Sequence, residues 1–166
     1  MADQENPKKE ADELLHQSLI SKFNGDLENA LKLLDQAISL AHKEGFEAYP
    51  YEVQKELLLF DFSSSKDFSG LISVTQRQLE NYRYQKNAVM QVDLLLTLAG
   101  LHIYSGDLEQ CREEVDKAEN LLTSITTEEF LRYSSQMPGI SAGRFHKLRQ
   151  LEVNKIREYL KDLKSK

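Results

Sequence analysis

Asn24-Gly25-Asp26-Leu27-Glu28-Asn29-Ala30-Leu31 returns later in the chain as Ser105-Gly106-Asp107-Leu108-Glu109-Gln110-Cys111, with a weaker echo at Lys66-Asp67-Phe68-Ser69-Gly70-Leu71-Ile72. The three aspartates stand about 40 residues apart, an interval typical of stacked helical repeats. The glycine before each outer aspartate readily takes the left-handed conformation that ends a helix. The aspartate then offers its carboxylate to the free N–H groups that open the next helix. Behind Asp26 the apolar residues Leu27, Ala30, Leu31, Leu34, Ala37, Ile38 and Ala41 recur at helical spacing. Leu108, Cys111, Val115, Ala118 and Leu122 do the same behind Asp107. Each phrase therefore reads as the corner of a helical hairpin. A hairpin of this kind buries its apolar face only against a neighbour, which predicts a helical solenoid.

The first pair begins near Ala11, carries Leu14, Leu15, Leu19 and Phe23, and ends at Gly45. The second starts near Tyr51, turns through Phe62-Ser63-Ser64-Ser65-Lys66, and returns with Phe68, Leu71, Ile72, Thr75, Leu79 and Tyr82. The third holds Val89, Val92, Leu95, Leu98, Ala99 and Tyr104 before its Ser105-Gly106 break. Thr126-Thr127-Glu128-Glu129 reads as a capping box that opens a short helix to about Gln136, which Met137-Pro138-Gly139 stops. A last helix, about Ala142 to Lys164, places Phe145, Leu148, Leu151, Ile156, Tyr159, Leu160 and Leu163 on one side and charge on the other, as a terminal cap would. The expected fold is all-α: an α-solenoid of three hairpins, a short helix and a C-terminal capping helix. Its predicted organisation is a disordered 1–10, a repeat domain at 11–126 and capping helices at 127–166.

Composition agrees with an ordered helical chain: 40% hydrophobic residues, three prolines and seven glycines in 166 residues. The single cysteine, Cys111, allows no intrachain disulfide and no Cys-x-x-Cys pair. No apolar run approaches the roughly 18 residues of a membrane span, and the polar N-terminus is unlike a secretory signal. A cytoplasmic location and no membrane partner are expected. The net charge of −6 argues against nucleic acid as the partner. It is uneven, with +5 in residues 143–166 and −11 before them.

Candidate chemistry is sparse. His16, His42, His102 and His146 include no His-Glu-x-x-His pair, so no metal is expected. His102, near the end of an apolar helix, reads as a packed, hydrogen-bonded residue, and Cys111 as a small buried one. Gly139-Ile140-Ser141-Ala142-Gly143-Arg144 lacks the Gly-Lys-Ser/Thr of a phosphate loop and reads as a turn. No nucleophile stands with a base. The chain is expected to be no enzyme and to hold no cofactor.

The hairpins resemble tetratricopeptide repeats over residues 11–126. In that family the turn glycine and acidic residue precede an alanine four residues on and another seven later, as Asp26 precedes Ala30 and Ala37, and Asp107 precedes Cys111 and Ala118. Leu95, Leu98 and the small Ala99 also fall at family positions, while Lys66, Leu71, Gln78 and Gln17 depart from them. The longer interval resembles an extended-helix variant found in G-protein-linked scaffolds and some bacterial regulators. The resemblance implies a protein or peptide partner lying in a concave groove formed by the first helix of each pair. Carried over, the groove positions are Leu15, Leu19, Lys22 and Phe23, then Glu56 and Phe60, then Leu96, Gly100, Ile103 and Tyr104. The Lys, Asn and Arg with which some members clamp a chaperone's carboxylate terminus are missing, so an extended or helical segment with hydrophobic anchors is expected. Filling of the groove by the C-terminal helix, a role as a small structural subunit, and regulation of a signalling enzyme or transcription factor stay open. So does the oligomeric state.

Overall fold

The structure is a computed structural model that describes residues 6–62, 67–133 and 141–164. Residues 63–66 of the expected second turn and the Met137-Pro138-Gly139 stop lie outside them. The described residues form eight helices and no strand: α1 Pro7–Phe23, α2 Leu27–Glu44, α3 Tyr49–Phe62, α4 Ser69–Tyr84, α5 Ala88–Ser105, α6 Leu108–Ser124, α7 Thr127–Tyr133 and α8 Ala142–Lys164. The chain is all-α.

α1 begins before its apolar periodicity does. Asn6 accepts a hydrogen bond from the Lys8 N–H at 3.1 Å, and Pro7 occupies the first turn with its fixed backbone angle. Residues 7–10, expected in a disordered stretch, are therefore helical.

The chain divides into two compact units, 1–74 and 75–166, with the boundary inside α4. In the first, α1 and α2 form a hairpin around Ala11, Ala37, Ala41 and Ala30, with Leu34, Tyr51 and Leu58 also buried. Asp35–Lys55 (2.7 Å) and His42–Glu52 (3.8 Å) set α3 antiparallel to α2. The Tyr51 hydroxyl donates to Asp12 at 2.6 Å and the Lys22 ammonium to Asp61 at 2.9 Å, both across 39 residues of sequence. A constant separation means that α1 and α3 run parallel.

The second unit repeats the plan. α5 and α6 form the hairpin, and α8 lies antiparallel to α6 through Gln150–Glu119 and Arg157–Asp116, each 2.9 Å. Arg149 pairs with Asp93 on α5. Phe130 of α7 packs on Phe145 of α8, with ring centres 5.3 Å apart and both rings buried.

The hairpin corners are near-superposable in their backbone angles. Asp26 and Asp107 both have φ −90° and ψ 76°, and their carboxylates accept from the N–H groups of Asn29 at 3.1 Å and Gln110 at 3.2 Å. Before them Gly25 and Gly106 have φ of 80° and 85°, angles that cost a side chain dearly. A third copy of this corner, unmarked by glycine, joins α4 to α5: Lys86 has φ 57°, and Asn87 caps by accepting from the Met90 N–H at 3.1 Å. Asp67 sits one residue further out than the other aspartates. Its carboxylate accepts from the Ser69 N–H at 2.8 Å, which holds its acid below the usual range.

Burial nevertheless keeps one register. Positions 4, 8, 11 and 15 after each aspartate are buried: Ala30, Leu34, Ala37 and Ala41; Leu71, Thr75, Gln78 and Tyr82; Cys111, Val115, Ala118 and Leu122. The second set contains no alanine, so its larger residues occupy the face that the other two pack closely.

Two expectations change. α5, at 18 residues with mean hydropathy 1.3, does reach the length and composition of a membrane span. Its apolar residues are explained within the unit, where Val89, Val92, Leu94, Leu95, Leu98 and Leu101 are all buried. The second change concerns α8. Phe145, Val153 and Leu160 are buried, whereas Leu148, Leu151 and Tyr159 are 39%, 48% and 47% exposed. These three lie on a separate stripe: at about 100° per residue their mean direction is roughly 120° round the helix from that of the buried three. The outer face of α8 is therefore not simply charged.

Candidate functional site

The ten groove positions separate into buried, paired and exposed residues. On α1, Leu15 packs against both buried clusters of the first unit. Lys22 is neutralised by Asp61. Leu19 and Phe23 reach solvent at 37% and 88% exposure.

On α3 the carried-over positions are displaced. Glu56 lays its carboxylate over Gly70 in the first turn of α4, so close that a Cβ there would meet it at 2.2 Å. A negative charge at that end of a helix opposes the macrodipole favourably. Phe60 stacks on Phe68 with ring centres 4.2 Å apart. Both residues thus serve the α3–α4 junction. The cause is visible in the burial pattern: Ala11 and Ser18 of α1 correspond to Tyr51 and Leu58 of α3, a shift of 40 residues, whereas Asp26 and Asp67 are 41 apart. The counterpart of Leu19 is accordingly Leu59, which is 40% exposed. Leu19, Phe23 and Leu59 form the apolar surface on the parallel helices α1 and α3.

On α5, Leu96 is buried at 5% exposure and is unavailable to a ligand. Asp93 lies on the same side of the helix and is engaged by Arg149, so α8 covers this end of the face. Burial raises the Asp93 carboxyl above its ordinary value, and the Arg149 charge opposes that rise. Gly100 has open space where a Cβ would stand, Ile103 is half-buried and Tyr104 is 78% exposed. On α5, then, the N-terminal part is covered by α8 and the last turn is accessible.

Phe23 and Tyr104 occupy the same place, three residues before the caps Asp26 and Asp107. The left-handed glycine after each forces the chain to turn, so the aromatic ring at the end of the helix stands out from the corner.

Between α5 and α6, His102 and Glu114 form a buried pair with Nδ1 and carboxylate oxygen 2.7 Å apart. Cys111, fully buried nearby, has its thiol pushed up to about 11, first by burial and then by the negative charge of Glu114. A thiol in that state is neutral and a poor nucleophile. Among the described residues no group of three or more His, Cys, Asp and Glu is placed to hold a metal ion. Compared with known proteins, the chain matches no family model and no curated sequence.

Proposed function

We propose that this protein is a non-enzymatic adaptor of tetratricopeptide-like, solenoid architecture that holds a segment of another protein. Its anchors are Leu19, Phe23 and Leu59 on the paired helices of the first unit; Tyr104, at the last turn of α5, is the corresponding anchor of the second unit taken by itself. The observation that carries this reading is the repeated exposure of a large aromatic side chain at one corner position, 88% for Phe23 and 78% for Tyr104. Burying such a side chain against a partner contributes about 1.5–3 kcal/mol, a substantial part of the roughly 8 kcal/mol that micromolar binding requires. The equivalence of Asp26, Asp67 and Asp107 in burial register, and the shared three-helix plan of the two units, support the repeat architecture.

The test is capture of partners from native lysate by the wild-type protein and by a Phe23→Ala plus Tyr104→Ala variant of unchanged helicity. The variant loses the captured partner. Full retention would overturn the assignment of these anchors.

A further inference from the structure

We propose that the exposed stripe of α8 docks into the groove between α1 and α2 of a second copy of this chain, joining copies head to tail. The groove, of about 760 Å³, is lined by Leu14, Leu31 and Leu40, with the acidic Glu10, Glu28 and Asp35 set against Lys32 and Lys43. It lies on the side of α1 away from Leu19 and Phe23, so it is separate from the anchors proposed above. The α8 stripe carries Leu148, Leu151 and Tyr159 with Arg144, Lys147 and Lys155 beside them.

Charge and pattern select a second copy as the occupant. Residues 1–74 hold 14 Asp/Glu against 7 Lys/Arg, while α8 holds seven Lys/Arg against three Asp/Glu. Laid parallel to α2 at a shift of 120 residues, α8 sets Leu151 beside Leu31, Lys155 beside Asp35, and Tyr159 beside Ser39 and Leu40. Lys147 then stands next to Glu28. Both helices use positions four apart, so ridges of one enter grooves of the other. Asp35 also pairs with Lys55 at 2.7 Å, and its second oxygen remains to accept from Lys155. The surfaces differ, which makes the contact heterologous: each added copy leaves one groove and one α8 stripe for the next.

Sedimentation of the full chain from micromolar to near-millimolar concentration tests this. The wild type associates with rising concentration, and less so at high salt, because part of the attraction is between surface charges. Leu151→Glu plus Lys155→Glu blocks the stripe, and Ser39→Trp fills the groove. All these positions are exposed, and helicity and thermal melting verify that both variants fold. Each variant alone weakens association by about tenfold or more. Mixed together they form a one-to-one dimer and nothing larger, since one supplies an intact groove and the other an intact stripe. A wild type that stays monomeric throughout, association that both variants retain, or variants that fail to pair on mixing would overturn the proposal.

Discussion

His102 Nδ1 lies 2.7 Å from a carboxylate oxygen of Glu114, and both side chains are withdrawn from water inside the α5–α6 hairpin. Removing one member leaves the other buried without its partner, which is costlier than the pair itself is favourable. His102→Ala is expected to lower the unfolding free energy by about 3 kcal/mol. Chemical denaturation measures it, and a loss within error of zero contradicts the pairing.

The same pair gives a pH signature. Burial raises the Glu114 carboxyl above its ordinary value, and the hydrogen bond and charge of His102 oppose that rise without cancelling it. A carboxyl raised in the folded state contributes stability that is fully present below its unfolded value and is lost as pH climbs through the folded value. Glu114→Gln cannot titrate. Its melting temperature should therefore gain on the wild type as pH rises from about 4.5 toward neutrality. A constant difference across that range contradicts the prediction.

Corner geometry predicts two changes of opposite sign. Gly106→Ala places a Cβ at φ 85° and should cost about 1 kcal/mol, although no neighbouring atom obstructs it. Lys86→Gly relieves a side chain held at φ 57° and should stabilise by a similar amount. Thermal unfolding of the two variants settles the signs.

Tyr51 is 2% exposed, and its hydroxyl donates to the Asp12 carboxylate. Burial and the acceptor's charge raise the phenol above its usual range. Tyr51→Phe keeps the ring and removes the donor, so a loss of about 2 kcal/mol is expected for a hydrogen bond to a charged acceptor. A neutral result would show that Asp12 is satisfied by solvent.

Cys111 offers a kinetic check. Neutral and fully buried, its thiol should react with a disulfide reagent only when the protein opens, so the rate should follow denaturant-induced unfolding. Reaction at the speed of an exposed thiol in buffer would place Cys111 elsewhere.

Local signals carried the hairpins. Gly25-Asp26 and Gly106-Asp107 are readable because turn and cap chemistry reside in adjacent residues, and Ala30, Ala37, Cys111 and Ala118 because small side chains mark where helices approach. The Thr126 hydroxyl accepts from the Glu129 N–H at 3.1 Å, one half of the capping box read there. Lys86-Asn87 makes the same corner without glycine, so its strain leaves no mark in the sequence. The α3 groove residues were displaced because one residue is absorbed before α4, and spacing between aspartates cannot say on which side of the turn. Leu148, Leu151 and Tyr159 show the limit of periodicity. An apolar residue at helical spacing identifies a stripe, and only packing decides which of two stripes is covered. His102–Glu114 and Arg149–Asp93 join residues from different helices, a relationship that no local pattern encodes.

The central claim is that α1 and α3 lie side by side and parallel within the first unit, and an isotope-labelled NMR sample tests this most directly. Nuclear Overhauser contacts should join the Tyr51 ring to Ala11, its companion in the buried cluster, and the last turn of α3 around Asp61 to Lys22 at the end of α1. Contacts from Tyr51 to the Lys22 end, or from Asp61 to the Ala11 end, would make the helices antiparallel and contradict the repeat architecture.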